Sequence, residues 1–211
     1  MTGILTSPLL SQLACVEHGF GTRDAVFSQT GMVSLRQIHS SLLRVADRDS
    51  GCAGEGDALI TDRPGVRISV RTADCFPVLI ADPNRRVVAA VHAGWRGTAA
   101  RIVGHVVQRM IAEFGSKPAG IHAAIGPGIG ACCYEVGAEV ARQFGLDRAG
   151  TIDLAHFNRE QLLAASVPET QIDTIGGCTF CDPARFHSYR RDGARAGRMI
   201  SFIRVLDSVP V

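Results

Sequence analysis

The stretch Ala58-Leu59-Ile60-Thr61-Asp62-Arg63-Pro64-Gly65-Val66-Arg67-Ile68-Ser69-Val70-Arg71-Thr72-Ala73-Asp74-Cys75-Phe76-Pro77-Val78-Leu79-Ile80-Ala81-Asp82-Pro83-Asn84-Arg85-Arg86-Val87-Val88-Ala89-Ala90-Val91-His92 decides the fold. Ala58 to Thr61 is a short apolar run, stopped by the turn signal Asp62-Arg63-Pro64-Gly65. Val66, Ile68 and Val70 then alternate with Arg67, Ser69 and Arg71, the period of a half-buried strand. Phe76 to Ala81 is a second apolar run closed by Asp82-Pro83-Asn84-Arg85, and Val87 to Val91 is continuously apolar, as in a strand buried on both faces. Strand following strand through short turns predicts antiparallel pairing. The fold class expected is therefore α+β, with mixed, largely antiparallel sheets packed with helices, rather than a doubly wound sheet.

Downstream, Ile102, Val103, Val106, Val107, Met110, Ile111 and Phe114 recur at spacings of three and four, one apolar helix face that Gly115 is placed to end. Ile121 to Ile125 reads as a strand, residues 134 to 145 and 156 to 166 as helices, Ile172 to Ile175 and Met199 to Val205 as strands. Residues 44 to 57 are polar and glycine-rich and read as a loop. No linker or repeat divides the chain, so residues 1–211 are expected to form a single domain. A chain of this length buries roughly 70% of its unfolded surface, so any metal it carries is expected to serve chemistry rather than basic stability.

Charge narrows the function classes. The 22 basic and 20 acidic residues give a formal net charge of +2, too weak a field to predict nucleic acid or an anionic membrane as partner. No window approaches the roughly 18 consecutive apolar residues of a membrane span. Met1-Thr2-Gly3-Ile4-Leu5 lacks the pattern of a secretory signal, and seven cysteines, two of them adjacent, suit reduced thiols in a cytoplasm.

Reactive side chains fall at the ends of the predicted strands: Cys75 after Arg71-Thr72-Ala73-Asp74, His92 before Ala93-Gly94-Trp95-Arg96-Gly97-Thr98, and His39 in Arg36-Gln37-Ile38-His39-Ser40. One thiolate and two imidazoles suit zinc or copper better than magnesium or calcium. Three protein ligands leave a fourth position open, as in catalytic zinc sites. The same atoms permit a metal-free reading, with Cys75 as nucleophile, His92 as general base and Asp74 or Gln37 as orienter. Residue types leave the two open. The Gly94 to Thr98 turn favours an anion, with Arg96 as a charged contact. Cys178-Thr179-Phe180-Cys181 is a CxxC with no second pair at zinc-ribbon spacing, a weak metal signal.

Taken in order, Gln37-Ile38-His39, Thr72-Ala73-Asp74-Cys75, Val91-His92-Ala93-Gly94-Trp95-Arg96-Gly97, Gly126-Pro127-Gly128-Ile129-Gly130 and Ser188-Tyr189-Arg190-Arg191-Asp192-Gly193 resemble the YfiH family, also called laccase-domain or polyphenol oxidase-like proteins. The resemblance runs from about residue 18 to 204. It implies an α+β sandwich and a metal held by His39, Cys75 and His92. The activity it implies is zinc-dependent phosphorolysis of purine nucleosides (adenosine, inosine, methylthioadenosine) with adenosine deaminase capacity. A copper-dependent laccase-like oxidation is the alternative attached to the family name, and a metal-free Cys–His hydrolase the second. On this reading Cys75, His92, His39 and Asp74 are catalytic, while Arg96, Gly94, Gln37 and Arg71 contact purine nucleoside and phosphate. The interval from Gly21 to Arg36 is shorter than its counterpart in that family and has no Asn.

Overall fold

A computed structural model describes residues 3–26 and 31–207. Met1-Thr2 of the N-terminal reading, residues 27–30 of the short interval and the last four residues of the single-domain expectation lie outside the described residues. In chain order the strands are β1 (Ile4–Leu5), β2 (Val16–Gly21), β3 (Met32–Arg36), β4 (Leu43–Val45), β5 (Gly51–Glu55), β6 (Ala58–Thr61) and β7 (Arg67–Thr72). They continue as β8 (Phe76–Asp82), β9 (Val87–Ala93), β10 (His122–Ile125), β11 (Glu135–Val136), β12 (Gly150–Thr151), β13 (Ile172–Thr174) and β14 (Met199–Val205). The helices are α1 (Pro8–Ser11), α2 (Trp95–Ala99), α3 (Ile102–Phe114), α4 (Ala138–Ala141), α5 (Leu154–Ala164) and α6 (Tyr189–Asp192).

Two six-stranded sheets form the body, in the orders β1-β2-β14-β7-β3-β5 and β13-β10-β8-β9-β6-β4. Their centres are antiparallel: β8 pairs with β9, β10 with β8, β9 with β6, and β14 with both β2 and β7. Parallel pairs sit toward the edges, β3 with β5 and β7, β4 with β6, and β10 with β13. The mixed, largely antiparallel α+β fold read from the sequence is what the chain adopts.

Side-chain alternation along β8 and β9 explains the layering. Leu79, Ala81, Val88 and Ala90 point to a core shared with Phe20, Val33, Ile68, Val70 and Ile203 of the other sheet. Val78, Ile80, Ala89 and Val91 point the opposite way, onto Ile102, Val103, Val106 and Met110 of α3 and Leu154 and Leu162 of α5. The second sheet is thus covered on both faces, which is why β9 reads as an unbroken apolar run. Gly115 ends α3 in the left-handed conformation at φ 68°, as its position predicts.

Three local expectations need correction. Residues 44 to 57 are not simply a loop: β5 lies in them as an edge strand on β3, and the end of β4 pairs with β6. Three of the five β5 residues are exposed and none is buried, so apolar alternation never entered the sequence there. The helix expected over 134 to 145 begins only at Ala138, because Glu135–Val136 pairs with Gly150–Thr151 and Gly137 takes the N-cap. Ile111, counted on the buried face of α3, is 36% exposed and sits at its margin.

Candidate metal centre

Antiparallel register brings the reactive groups together. Phe76 opens β8 opposite Ala93 of β9, so Cys75 and His92 are neighbours across one strand pair. Ala58 opens β6 opposite Val91, which sets Asp57 on the other side of His92. His39 follows β3 of the first sheet and reaches the same point, its ring centroid 4.9 Å from that of His92. One donor atom from each of His39, Cys75 and His92 falls within 4.8 Å of the others, while Cys75 is only partly exposed and His92 is buried. Strand ends fixed by two packed sheets make this placement rigid.

Asp57 holds the cluster, and the sequence reading passed over it. Its fully buried carboxylate accepts from His92 Nδ1 at 2.8 Å, from the His39 main-chain N–H at 3.0 Å, and from the Ser40 N–H and hydroxyl at 2.6 and 2.7 Å. Its own carbonyl accepts the His92 N–H at 2.7 Å. One side chain therefore orients the His92 imidazole, anchors the main chain of His39 and leaves His92 Nε2 for the centre. The available signal was positional: Asp57 stands at the start of a buried strand, as His92 stands near the end of one.

The charges interlock. Burial pushes the Asp57 carboxyl up, but hydrogen bonds from His92 and Ser40 outweigh it and hold it at about 2. Burial also disfavours the Cys75 thiolate, yet the His39 and His92 rings bring its pKa down to about 7. His92, penalised by burial but set between Asp57 and Cys75, is raised to about 9.

Backbone strain marks the two segments that deliver ligands, since His39 (φ 58°) and Asp74 (φ 85°) take left-handed conformations rare outside glycine. Gly94 provides the cradle. A Cβ there would stand 2.9 Å from Cys75 Sγ and 3.5 Å from His39 Cδ2, so only glycine leaves the sulfur its place. Soft and borderline donors converging on a space cleared of side chains fit a transition metal such as zinc.

The remaining predicted residues divide. Gln37 forms a two-point amide clamp on the Arg71 main chain, both bonds 2.8 Å, so the two sit together beside the centre. Asp74 turns away from the metal ligands: Oδ1 accepts the Thr179 hydroxyl at 2.7 Å and Oδ2 the Arg190 N–H at 2.6 Å. The place of orienter to His92 belongs to Asp57, not to Asp74 or Gln37. Arg96 is exposed and stacked over Trp95 at 4.4 Å. Tyr134, which no sequence motif marks, lies in the field of Cys75, Arg190, Asp74 and Arg96. Burial first and the Cys75 charge second push its phenol up to about 12.

Comparison with known proteins identifies relatives of the whole chain. The sequence profile of the family described as multi-copper polyphenol oxidoreductase laccase matches residues 20–206. A purine nucleoside phosphorylase of Deinococcus radiodurans is 41% identical over 187 residues, covering 84% of this chain and 71% of that protein. Adenosine deaminase RL5, from an unknown prokaryotic organism, is 37% identical over 195 residues, covering 82% and 74%. The crystal structure of YlmD from Geobacillus stearothermophilus superposes with a TM-score of 0.89 at 29% identity, covering 97% of each chain. A profile match over most of the length, relatives at this identity and a shared fold place the chain in the laccase-like YfiH family.

Proposed function

We propose that the protein is a zinc-dependent purine nucleoside phosphorylase with adenosine deaminase capacity. The observation that carries this reading is the convergence of His39, Cys75 and His92 on a space kept open by Gly94. Relatives named as a purine nucleoside phosphorylase and an adenosine deaminase support the choice of substrate class. His39, Cys75 and His92 would hold the ion, which when bound supplies Lewis acidity and lowers the pKa of a coordinated water.

The chain's own residues do the rest. Asp57 fixes the rotation and tautomer of His92 by accepting a hydrogen bond from its Nδ1–H, and anchors the His39 backbone. Arg96 makes no ion pair among the described residues, and with Arg190 it flanks Tyr134, so these two cations are the holders assigned to phosphate. In phosphorolysis a phosphate oxygen bonds to the anomeric carbon as the carbon–nitrogen bond breaks, and the purine leaves with a proton. Tyr134, kept protonated, is the donor assigned to that base. In deamination, water adds at C6 and ammonia departs. Asp74, with both oxygens already taken, is assigned to loop positioning rather than to carrying protons.

Purified protein incubated with adenosine is expected to release adenine when phosphate is present and inosine when it is absent, both lost in Cys75→Ala. Metal-loaded protein that yields neither product by chromatography defeats the proposal.

The donor set gives copper a specific second reading, because two His and one Cys also suit a mononuclear copper site. Four-electron oxygen reduction by a multicopper oxidase needs several coppers. The other dense ligand cluster among the described residues consists of thiols alone, which speaks against that chemistry. Several coppers per chain, with phenol oxidation lost on their removal, would reverse the order.

A further inference from the structure

Two cysteine pairs remote in sequence meet outside the centre described above. Cys132-Cys133 follows the Gly126 to Gly130 turn, and Cys178-Thr179-Phe180-Cys181 follows β13. All four sulfurs lie within 4.8 Å of one another, with Cys133 and Cys181 at 3.2 Å and Cys132 and Cys181 at 3.7 Å. An ion bound tetrahedrally through bonds of about 2.3 Å sets its sulfurs roughly 3.8 Å apart. None of the seven cysteines is in a disulfide. The CxxC that looked isolated in the sequence has its second pair.

A separate observation points to a ligated sulfur. Gly130 N–H donates to Cys178 Sγ at 3.2 Å, and the Phe180 and Cys181 N–H groups face the same atom. Several backbone donors on one sulfur are the surroundings of a metal-bound thiolate, whose charge they spread. Charge balance agrees. Four thiolates around a divalent ion leave a net charge of about −2. Arg190 Nη1 rests on Glu135 O at 3.0 Å, and Arg191 Nη1 on Thr179 O and Phe180 O at 2.9 and 3.1 Å, putting two guanidinium groups on the same two loops.

We propose that Cys132, Cys133, Cys178 and Cys181 bind a second zinc ion, in a closed four-thiolate site that is structural and does not rest on the nucleoside reading. With all four positions taken by protein, no substrate reaches the ion. Its work is to clamp two loops over Asp74. Thr179, inside the CxxC, donates its hydroxyl to Asp74 Oδ1 at 2.7 Å and its N–H to Gly128 O at 3.0 Å. Ile129 N–H donates to the Asp74 carbonyl at 2.8 Å. The ion thereby braces, from the outside, the strained turn that presents Cys75.

The test is zinc content of the full chain, expressed with zinc and purified with a thiol reductant and no chelator. About two zinc ions per chain are expected, falling to about one in Cys178→Ser/Cys181→Ser and to about one in His39→Ala. After cobalt replacement, intense thiolate-to-cobalt charge transfer should persist in His39→Ala and vanish in the double serine variant. About one zinc in the wild type, lost entirely in His39→Ala, overturns the proposal. Should the serine variant fail to fold, alkylation mapping of native wild type decides the matter. The four cysteines are expected to resist iodoacetamide until a chelator is added, and equal labelling with and without chelator refutes the site.

Discussion

Asp57 bonds to the His92 ring and to the main chain carrying His39, so one carboxylate sets the geometry of two ligands. Replacing it by Asn keeps the shape but removes the charge and turns one of its two accepting oxygens into an NH2, which must face either the His92 Nδ1–H or the Ser40 N–H. Asp57→Asn is expected to weaken metal binding by about 10- to 100-fold, read by competition with a chromophoric chelator. Unchanged affinity would remove Asp57 from the site. In the metal-free chain the same residue contributes to the loss of stability in acid. Its folded pKa of about 2 lies below the ordinary 3.8, so its contribution is complete above pH ~4 and lost as pH falls toward 2. The loss amounts to about 2 kcal/mol. His92, raised to about 9, acts in the opposite sense: its contribution is complete below its ordinary 6.5 and fades as pH climbs through 9. Denaturant melts of the metal-free chain should lose stability toward both extremes, and in Asp57→Asn the acid decline should become shallower. Gly94→Ala tests the cradle. Gly94 has φ −81° and ψ 173°, so any residue fits its backbone, and the effect is purely the contact of a Cβ with Cys75 Sγ at 2.9 Å. Loss of metal binding with stability changed by less than about 1 kcal/mol is expected. At this scale His39, Cys75 and His92 stood out as reactive types, but residue type alone left a metal-free reading open. It was the family resemblance that grouped the three as ligands, and the fold brings them together. Asp57 did not stand out, because acidic residues beside glycines usually mark turns.

Each ligand's address is a consequence of strand register. The pairing of Phe76 with Ala93 and of Ala58 with Val91 fixes Cys75, His92 and Asp57 within one small patch. A slip of one residue would turn the ligands to the opposite face. This part was legible because Val66 to Val91 combines alternation with unmistakable turns. What escaped notice was β5 and the late start of α4: no β5 residue is buried, and Gly137 interrupts a helical composition. The four-cysteine cluster was equally hidden, since Cys132-Cys133 and Cys178/Cys181 sit on two loops separated by β11 to β13, α4 and α5, whose meeting no local pattern encodes. Close approach of the sheets is testable at Gly126, just after β10. A Cβ there would lie 2.3 Å from Phe20 Cδ1 and 2.8 Å from Pro77 Cγ, both in packed surroundings. Gly126→Ala is therefore expected to cost about 1–3 kcal/mol by overpacking, seen as a lower denaturation midpoint with unchanged slope. A neutral result would mean that the ring of Phe20 has room to move.

Three layers bury the apolar surface of the molecule. The first sheet, the second sheet, and α3 with α5 enclose two apolar cores, one on each face of β8 and β9. A chain of this length buries enough surface to fold without a metal, unlike small zinc domains that exist only in the bound form. A metal then acts on stability through linkage alone. An ion present at about a thousand times its dissociation constant adds roughly 4 kcal/mol. In a protein of this size each kcal/mol is worth about 2–4 °C in Tm, so stripping an ion should lower Tm by roughly 10 °C. Scanning calorimetry and far-UV circular dichroism before and after chelation test both halves of the argument. The expected result is a Tm that falls and recovers on adding zinc, with a spectrum at 25 °C that does not change. A chelated chain with a coil spectrum at that temperature would mean that the two cores are insufficient and that an ion is part of the fold itself. The sequence, with 46% hydrophobic residues and turns that close every central strand, predicts the opposite.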